Sequence, residues 1–264
     1  MQSIGFIGMG FMGGALARAI HSRHSDLSFH IVEKDSERRV TALRDLNAGD
    51  HSDDIPGLLR EVDVVFLAMK PQDLPAVAHA MAPHLTNTVV VSMLAGTSLE
   101  RIESSLKSQR VIRIMPNLAA QVGQAVIGMT SGSGVPSKTS RRVQELLSSA
   151  GTVVPIPEYQ MAAITGLAGS GIAYAFRFIH SLAMGAVQEG MPYSTALSAA
   201  VDMVISAGTV LKEAGVAPEE MVSRVCSPAG TTIAGVRALE DGGFSATVME
   251  AVHRAAQRSR ELES

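Results

Sequence analysis

Residues 3–14 read Ser3-Ile4-Gly5-Phe6-Ile7-Gly8-Met9-Gly10-Phe11-Met12-Gly13-Gly14, and the reading of this stretch decides the fold. An apolar run ends at Gly8, and beyond Gly13 the apolar residues recur at helical spacing as far as Arg23. Three glycines therefore sit on a strand-to-helix turn. In that setting Gly8 permits the tight turn, Gly10 lets backbone approach a pyrophosphate, and Gly13 lets helix and strand pack closely. The unpaired N–H groups and positive dipole end of the new helix favour phosphate charge. Glycines at this spacing also occur in turns that serve packing alone. The strand before and the helix after are what point to a dinucleotide.

Working outward, residues 29–32, 62–68, 88–92 and 111–115 are further short apolar runs, of the kind covered on both faces of a parallel sheet. Helical patterns such as 71–81 separate them, so the alternation predicts a doubly wound α/β domain. Residues 126–130 and 152–156 read as two more strands around a helix at 137–149. After Pro155-Ile156-Pro157 the chain becomes rich in Ala, Gly, Met and Ser, with no convincing strand. Leu197, Val201, Val204, Gly208 and Leu211 follow the spacing of one helix face. The expected division is a dinucleotide-binding domain over residues 1–156 and an all-α domain over 157–264.

Composition excludes several classes. A formal net charge of −3 offers no basic stripe for nucleic acid, and aromatics at 4% with no Trp offer no stacking platform. The single cysteine, Cys226, rules out an intramolecular disulfide and reads as a free thiol in a reducing compartment. No metal site is expected, because the eight histidines are scattered. No basic segment with an apolar run precedes the first strand, so the expected location is cytoplasmic. Residues 161–187 are apolar, but four glycines, Arg177 and His180 interrupt them, which favours a buried core helix over a membrane span.

Cofactor choice stays open at this level. Glu33 ends the second strand, where an acid usually bonds the ribose 2′-hydroxyl of NAD. Lys34, Ser36, Arg38 and Arg39 follow directly and could clamp the 2′-phosphate of NADP.

Six blocks then appear in order: GFIGMGFMGGALA from Gly5, AMKPQ at 68–72, RIMPN at 113–117, AGSGIAY at 168–174, SPAGTTIAG at 227–235 and RSREL at 258–262. Together they resemble the pyrroline-5-carboxylate reductase family. The resemblance implies a Rossmann domain, a doubly wound parallel sheet, followed by an all-α domain through which a homodimer forms, alone or as part of an oligomer of dimers. It implies NADPH or NADH as cofactor and a cyclic imino acid as the small-molecule substrate. Gly230, Thr231 and Thr232 would hold the substrate's carboxylate and ring nitrogen, with Ser170 alongside and the Thr232 hydroxyl as the catalytic candidate. Gly8, Gly10, Phe11, Met12, Gly13, Glu33, Ala68, Met69, Lys70, Pro71, Ala95 and Asn117 would line the cofactor cleft. The residues agree with such chemistry on their own terms. A protonated imine is already electrophilic and the cofactor supplies the hydride, so orientation and a preorganised polar pocket suffice without a His/Asp pair.

Three of these blocks depart from the family pattern. Ala229 stands where the first of two glycines is usual, Ile172 where proline is usual, and Leu118-Ala119 where threonine-proline usually follows MPN. Two other readings share the opening motif. A β-hydroxyacid dehydrogenase should carry a lysine at about position 175, where this chain has Ala175. A dinucleotide-binding regulator without turnover would rest on the departures at Ala229 and Ile172.

Overall fold

The computed structural model describes residues 1–263. By internal contacts it forms two compact units: residues 1–170 together with the end of the chain from Arg254, and residues 171–253. Each follows from its own part of the sequence.

The first unit is an eight-stranded sheet, β1 (Ser3–Ile7), β2 (Ser28–Val32), β3 (Gly49–Asp50), β4 (Val64–Leu67), β5 (Val89–Ser92), β6 (Val111–Met115), β7 (Ala125–Ser131) and β8 (Gly151–Pro155). The strand order is β3-β2-β1-β4-β5-β6-β7-β8. Its helices are α1 (Phe11–Arg23), α2 (Ser36–Leu46), α3 (Ile55–Glu61), α4 (Leu74–Met81), α5 (Leu99–Leu106) and α6 (Ser137–Leu147). Because side chains alternate across a strand, Phe6 and Phe66 fall on one face, where their rings stack at 4.6 Å, while Ile7, Val65 and Leu67 fall on the other. Both faces are buried under helices, as the unbroken apolar runs require.

The sheet differs from the expectation at two places. β7 runs antiparallel to β6, whereas every other neighbour is parallel. Residues 116–124 are too few for a helical crossover, which needs roughly a dozen or more residues, so the chain turns back through a short 3₁₀ segment. β3 is only two residues long and carries no apolar pattern to announce it.

The sheet ends near residue 156, but the first unit runs on to Ser170 by contact. Residues of α7 (Met161–Ile164) bury Met161 and Ala162. Gly128 of β7 leaves room for Ile164, whose Cγ2 lies 2.7 Å from where a Cβ would stand. A π-helical turn, Thr165–Gly169, follows, with the Ser170 N–H donating to the Thr165 carbonyl at 2.8 Å.

The second unit comprises α8 (Gly171–Gln188), α9 (Tyr193–Ala214), α10 (Pro218–Val225), α11 (Thr231–Asp241) and the first part of α12 (Phe244–Glu263). α8 and α9 pack through Ala183, Ala196 and Ala200, with Ile179, Leu182 and Leu197 around them. Small side chains let the two backbones approach. The expectation that 161–187 forms a buried core helix does not hold for the single chain: Ala183 is the only residue of α8 that is buried. Phe176, Met184, Met203, Ile205, Leu239 and Met249 are all exposed large apolar residues of this unit.

Candidate active site

The glycine turn is built as its sequence requires. Gly8 has φ +97°, and a Cβ there would stand 2.8 Å from the backbone of Ala68. Its N–H donates to the Val32 carbonyl, and the Ala68 N–H donates to the Ile7 carbonyl, both at 2.8 Å. Gly13 faces back onto the turn, where a Cβ would collide with the Gly8 carbonyl oxygen at 2.4 Å. Gly10 is different. A Cβ there would meet nothing closer than the Arg38 guanidinium at 4.0 Å, so the face of the turn above it is open. Gly10 caps α1 without a side chain, and the first N–H groups of that helix point into the space. Phe11 is exposed and Met12 half-buried beside them. An open cradle at the amino end of a 13-residue helix fits a pyrophosphate.

Glu33 lies under the turn. It is buried, and its Oε2 accepts the Met9 N–H at 2.6 Å while Oε1 accepts the Asp35 N–H at 2.8 Å. Arg38 Nη2 stands 3.6 Å from Glu33 and 3.5 Å from Asp35. The acid favoured by the ribose of NAD and a cation suited to the 2′-phosphate of NADP thus share one corner. Arg39 is turned away, toward Asp50 at 3.8 Å.

Ala68, Met69, Lys70 and Pro71 follow β4; Lys70 and Pro71 are exposed, and a 3₁₀ turn begins at Pro71. Ala95 lies exposed after β5. These segments leave the carboxyl ends of β4, which neighbours β1, and of β5 next to it, at the end of the sheet where doubly wound folds bind ligands. Asn117 follows β6, with its side chain turned inward. It is buried, its Nδ2 donates to the Ala168 carbonyl at 3.0 Å, and its Oδ1 accepts the Val126 N–H at 3.4 Å. It ties the end of β6 to the π turn that carries Ser170, which is half-buried.

Within the second unit, Gly230 caps α11 and Thr231 and Thr232 open it. Ser227 to Gly230 forms a turn closed by the Gly230 N–H on the Ser227 carbonyl at 3.0 Å. No side chain caps this helix, so its first N–H groups stay available for an anion. Thr231 is exposed and Thr232 half-buried.

Sequence reasoning passed over Arg113. Its side chain is fully buried in β6 and pairs with Glu158 and Glu263. A lone arginine inside the apolar run Val111-Ile112-Arg113-Ile114-Met115 was the available signal.

Comparison with known proteins bears on the whole chain. Residues 158–262 match a family described as pyrroline-5-carboxylate reductase dimerisation, and residues 3–96 match one described as NADP oxidoreductase, coenzyme F420-dependent. The chain is 40% identical over 266 residues to a pyrroline-5-carboxylate reductase from Methanosarcina acetivorans, covering 99% of this chain and 98% of that one. The chain belongs to the pyrroline-5-carboxylate reductase family. Its structure is similar to that of a family member from Coxiella burnetii, with TM-score 0.92, 26% identity and coverage of 99% and 98%. It is also similar to a Plasmodium falciparum pyrroline carboxylate reductase with NADP bound, with TM-score 0.85, 25% identity and the same coverage.

Family membership sharpens one departure. Ala229, standing where the family usually has glycine, adopts φ +55°, a conformation in which an L side chain crowds its own carbonyl.

Proposed function

We propose that this protein reduces L-1-pyrroline-5-carboxylate to L-proline, with NADPH or NADH as the hydride donor. What supports the reading most is the match, nearly end to end, to reductases of that name. The open cradle over Gly10 agrees with it.

When bound, the reduced nicotinamide supplies a hydride to the carbon of the C=N bond; the ring nitrogen, protonated beforehand, becomes the amine of proline. The chain's part is binding and orientation. The N–H groups of Thr231 and Thr232, at the dipole end of α11 that Gly230 caps, hold the substrate carboxylate, with Gly230 leaving room for its approach. The Thr232 hydroxyl accepts the N–H of the iminium and fixes the ring plane, with Ser170 as a further polar contact. Gly8, Gly10, Phe11, Met12 and Gly13 receive the pyrophosphate, Glu33 the ribose, and Ala68, Met69, Lys70, Pro71 and Ala95 the remaining length of the dinucleotide. Asn117 lines the same cleft in this reading, while its Nδ2 holds the Ala168 carbonyl.

Residues 1–156 bind the dinucleotide in this reading, and residues 157–264 bind substrate and pair the subunits. The helical unit presents an apolar groove of about 860 Å³, lined among others by Tyr174, Phe178, Leu182, Leu239, Phe244 and Val248. A second subunit would cover it, giving a homodimer and, through further contacts, an oligomer of dimers. Two stretches, Glu158–Gln188 and Tyr193–Ala214, are long and apolar enough to cross a membrane. Their apolar surface is assigned to subunit pairing, and the protein to the cytoplasm, with no nucleic-acid or membrane partner.

Initial rates with each reduced cofactor against pyrroline-5-carboxylate and a panel of 3-hydroxy acids test this function. Turnover of the imine alone is expected. Oxidation of a 3-hydroxy acid, or tight dinucleotide binding with no turnover, would overturn it.

A further inference from the structure

The end of the chain returns to the nucleotide-binding unit. Arg113 lies in β6 beside Ser92, the last residue of β5, and its side chain is fully buried. A buried guanidinium must be paired, and its partners come from far along the chain. Nη1 donates to Glu158 Oε1 at 2.5 Å, and Nη2 donates to Glu263. Glu158 Oε1 also accepts the N–H of Leu99, the first residue of α5, at 2.9 Å. One residue before Glu263, Leu262 occupies the space over Gly96: a Cβ on Gly96 would stand 2.8 Å from the Leu262 Cβ, and Gly96 has φ +63°. These independent contacts converge on residues 93–99, the turn that leaves the carboxyl end of β5.

That turn has a definite place along a dinucleotide. With Glu33 after β2 at the ribose and the glycine turn after β1 at the pyrophosphate, the nicotinamide half extends past β4 toward β5. We propose that Arg113, Glu158 and Glu263 are positioning residues, which together with Leu262 hold the 93–99 turn against the nicotinamide half of the cofactor. The last turn of α12 thereby becomes part of the support of the cofactor site. This rests on the reading of the chain as a nicotinamide-dependent reductase.

Arg113→Met would strand two carboxylates and can unfold the sheet, so the tail carries the test. Wild type, Leu262→Ala, Glu263→Ala and Glu263→Asp are titrated with NADH and NADPH by nicotinamide fluorescence, and assayed with pyrroline-5-carboxylate alongside thermal melts. Leu262→Ala and Glu263→Ala are expected to raise dinucleotide Kd and KM about threefold or more, with kcat within about twofold, and Glu263→Asp to recover part of the loss. Lower melting temperatures with unchanged Kd and KM would overturn the proposal and leave the tail a purely structural brace. Wild-type protein that binds neither dinucleotide would overturn the positioning role and the reductase reading together; wild-type turnover with unaffected variants would overturn the positioning role alone.

Discussion

The Glu33 carboxylate accepts the Met9 N–H at 2.6 Å, so the acid that follows β2 also holds the glycine turn that receives the pyrophosphate. One side chain thereby links the ribose corner to the phosphate corner. Removing it leaves the amides of Met9 and Asp35 without their acceptor, a loss on the order of 1–3 kcal/mol. Glu33→Ala is expected to weaken NADH by roughly tenfold. NADPH should lose less, since one negative charge facing its 2′-phosphate is gone. Dissociation constants for both cofactors check this; equal losses would contradict the ribose assignment.

Ala229 sits at φ +55° in the turn before α11. A left-handed alanine costs about 1–2 kcal/mol, and glycine removes that cost while adding roughly 0.5–1 kcal/mol of unfolded-state entropy. Ala229→Gly should therefore raise stability by up to about 1 kcal/mol, readable as a higher melting temperature. A lower melting temperature would show that the methyl group makes a compensating contact.

Thr232, a half-buried residue, stands in the first turn of α11. Thr232→Ala is expected to lower kcat/KM for the imine by about tenfold or more, the scale of one lost polar contact, with dinucleotide Kd unchanged. Steady-state kinetics beside cofactor titration separates the two. Unchanged kinetics would remove Thr232 from the mechanism.

Glu103 carries a pKa raised above the usual carboxylate range, first by burial and then by the nearby charges of Glu158 and Glu100. Its Oε1 is buried with no hydrogen-bond partner. The folded chain thus takes up this proton at higher pH than the unfolded chain does, and the charged form is a liability that grows as pH rises through the folded pKa. Glu103→Gln should raise the melting temperature near neutral pH, and the gain should vanish below about pH 4, where both states are protonated. A pH-independent difference would contradict the assignment.

Much of this was legible in the sequence, for physical reasons that differ by element. The apolar runs of β1, β4, β5 and β6 must be buried on both faces, so their pattern is unambiguous. Gly8 and Gly13 have steric causes within the fold, visible in the contacts with Ala68 and Gly8, while Gly10 keeps the face of the turn open. Strand direction leaves no mark on composition, and β7 was therefore read without its reversal. The partners of Arg113 lie 45 and 150 residues away, beyond the reach of any local pattern. The motif that holds Asn117 points to the cofactor cleft, while its bonds to Ala168 and Val126 are not marked by any local pattern. The apolar pattern of α8 reads as core because sequence alone does not say whether the covering surface comes from the same chain.

The most direct test follows the transferred hydrogen. The enzyme is supplied with pyrroline-5-carboxylate and a reduced nicotinamide dinucleotide carrying deuterium at both C4 positions, and the product is examined by mass spectrometry and NMR. Proline bearing one deuterium on the ring carbon that had been doubly bonded to nitrogen is the predicted result. Unlabelled proline, or oxidised cofactor with no proline formed, would contradict hydride delivery to the imine.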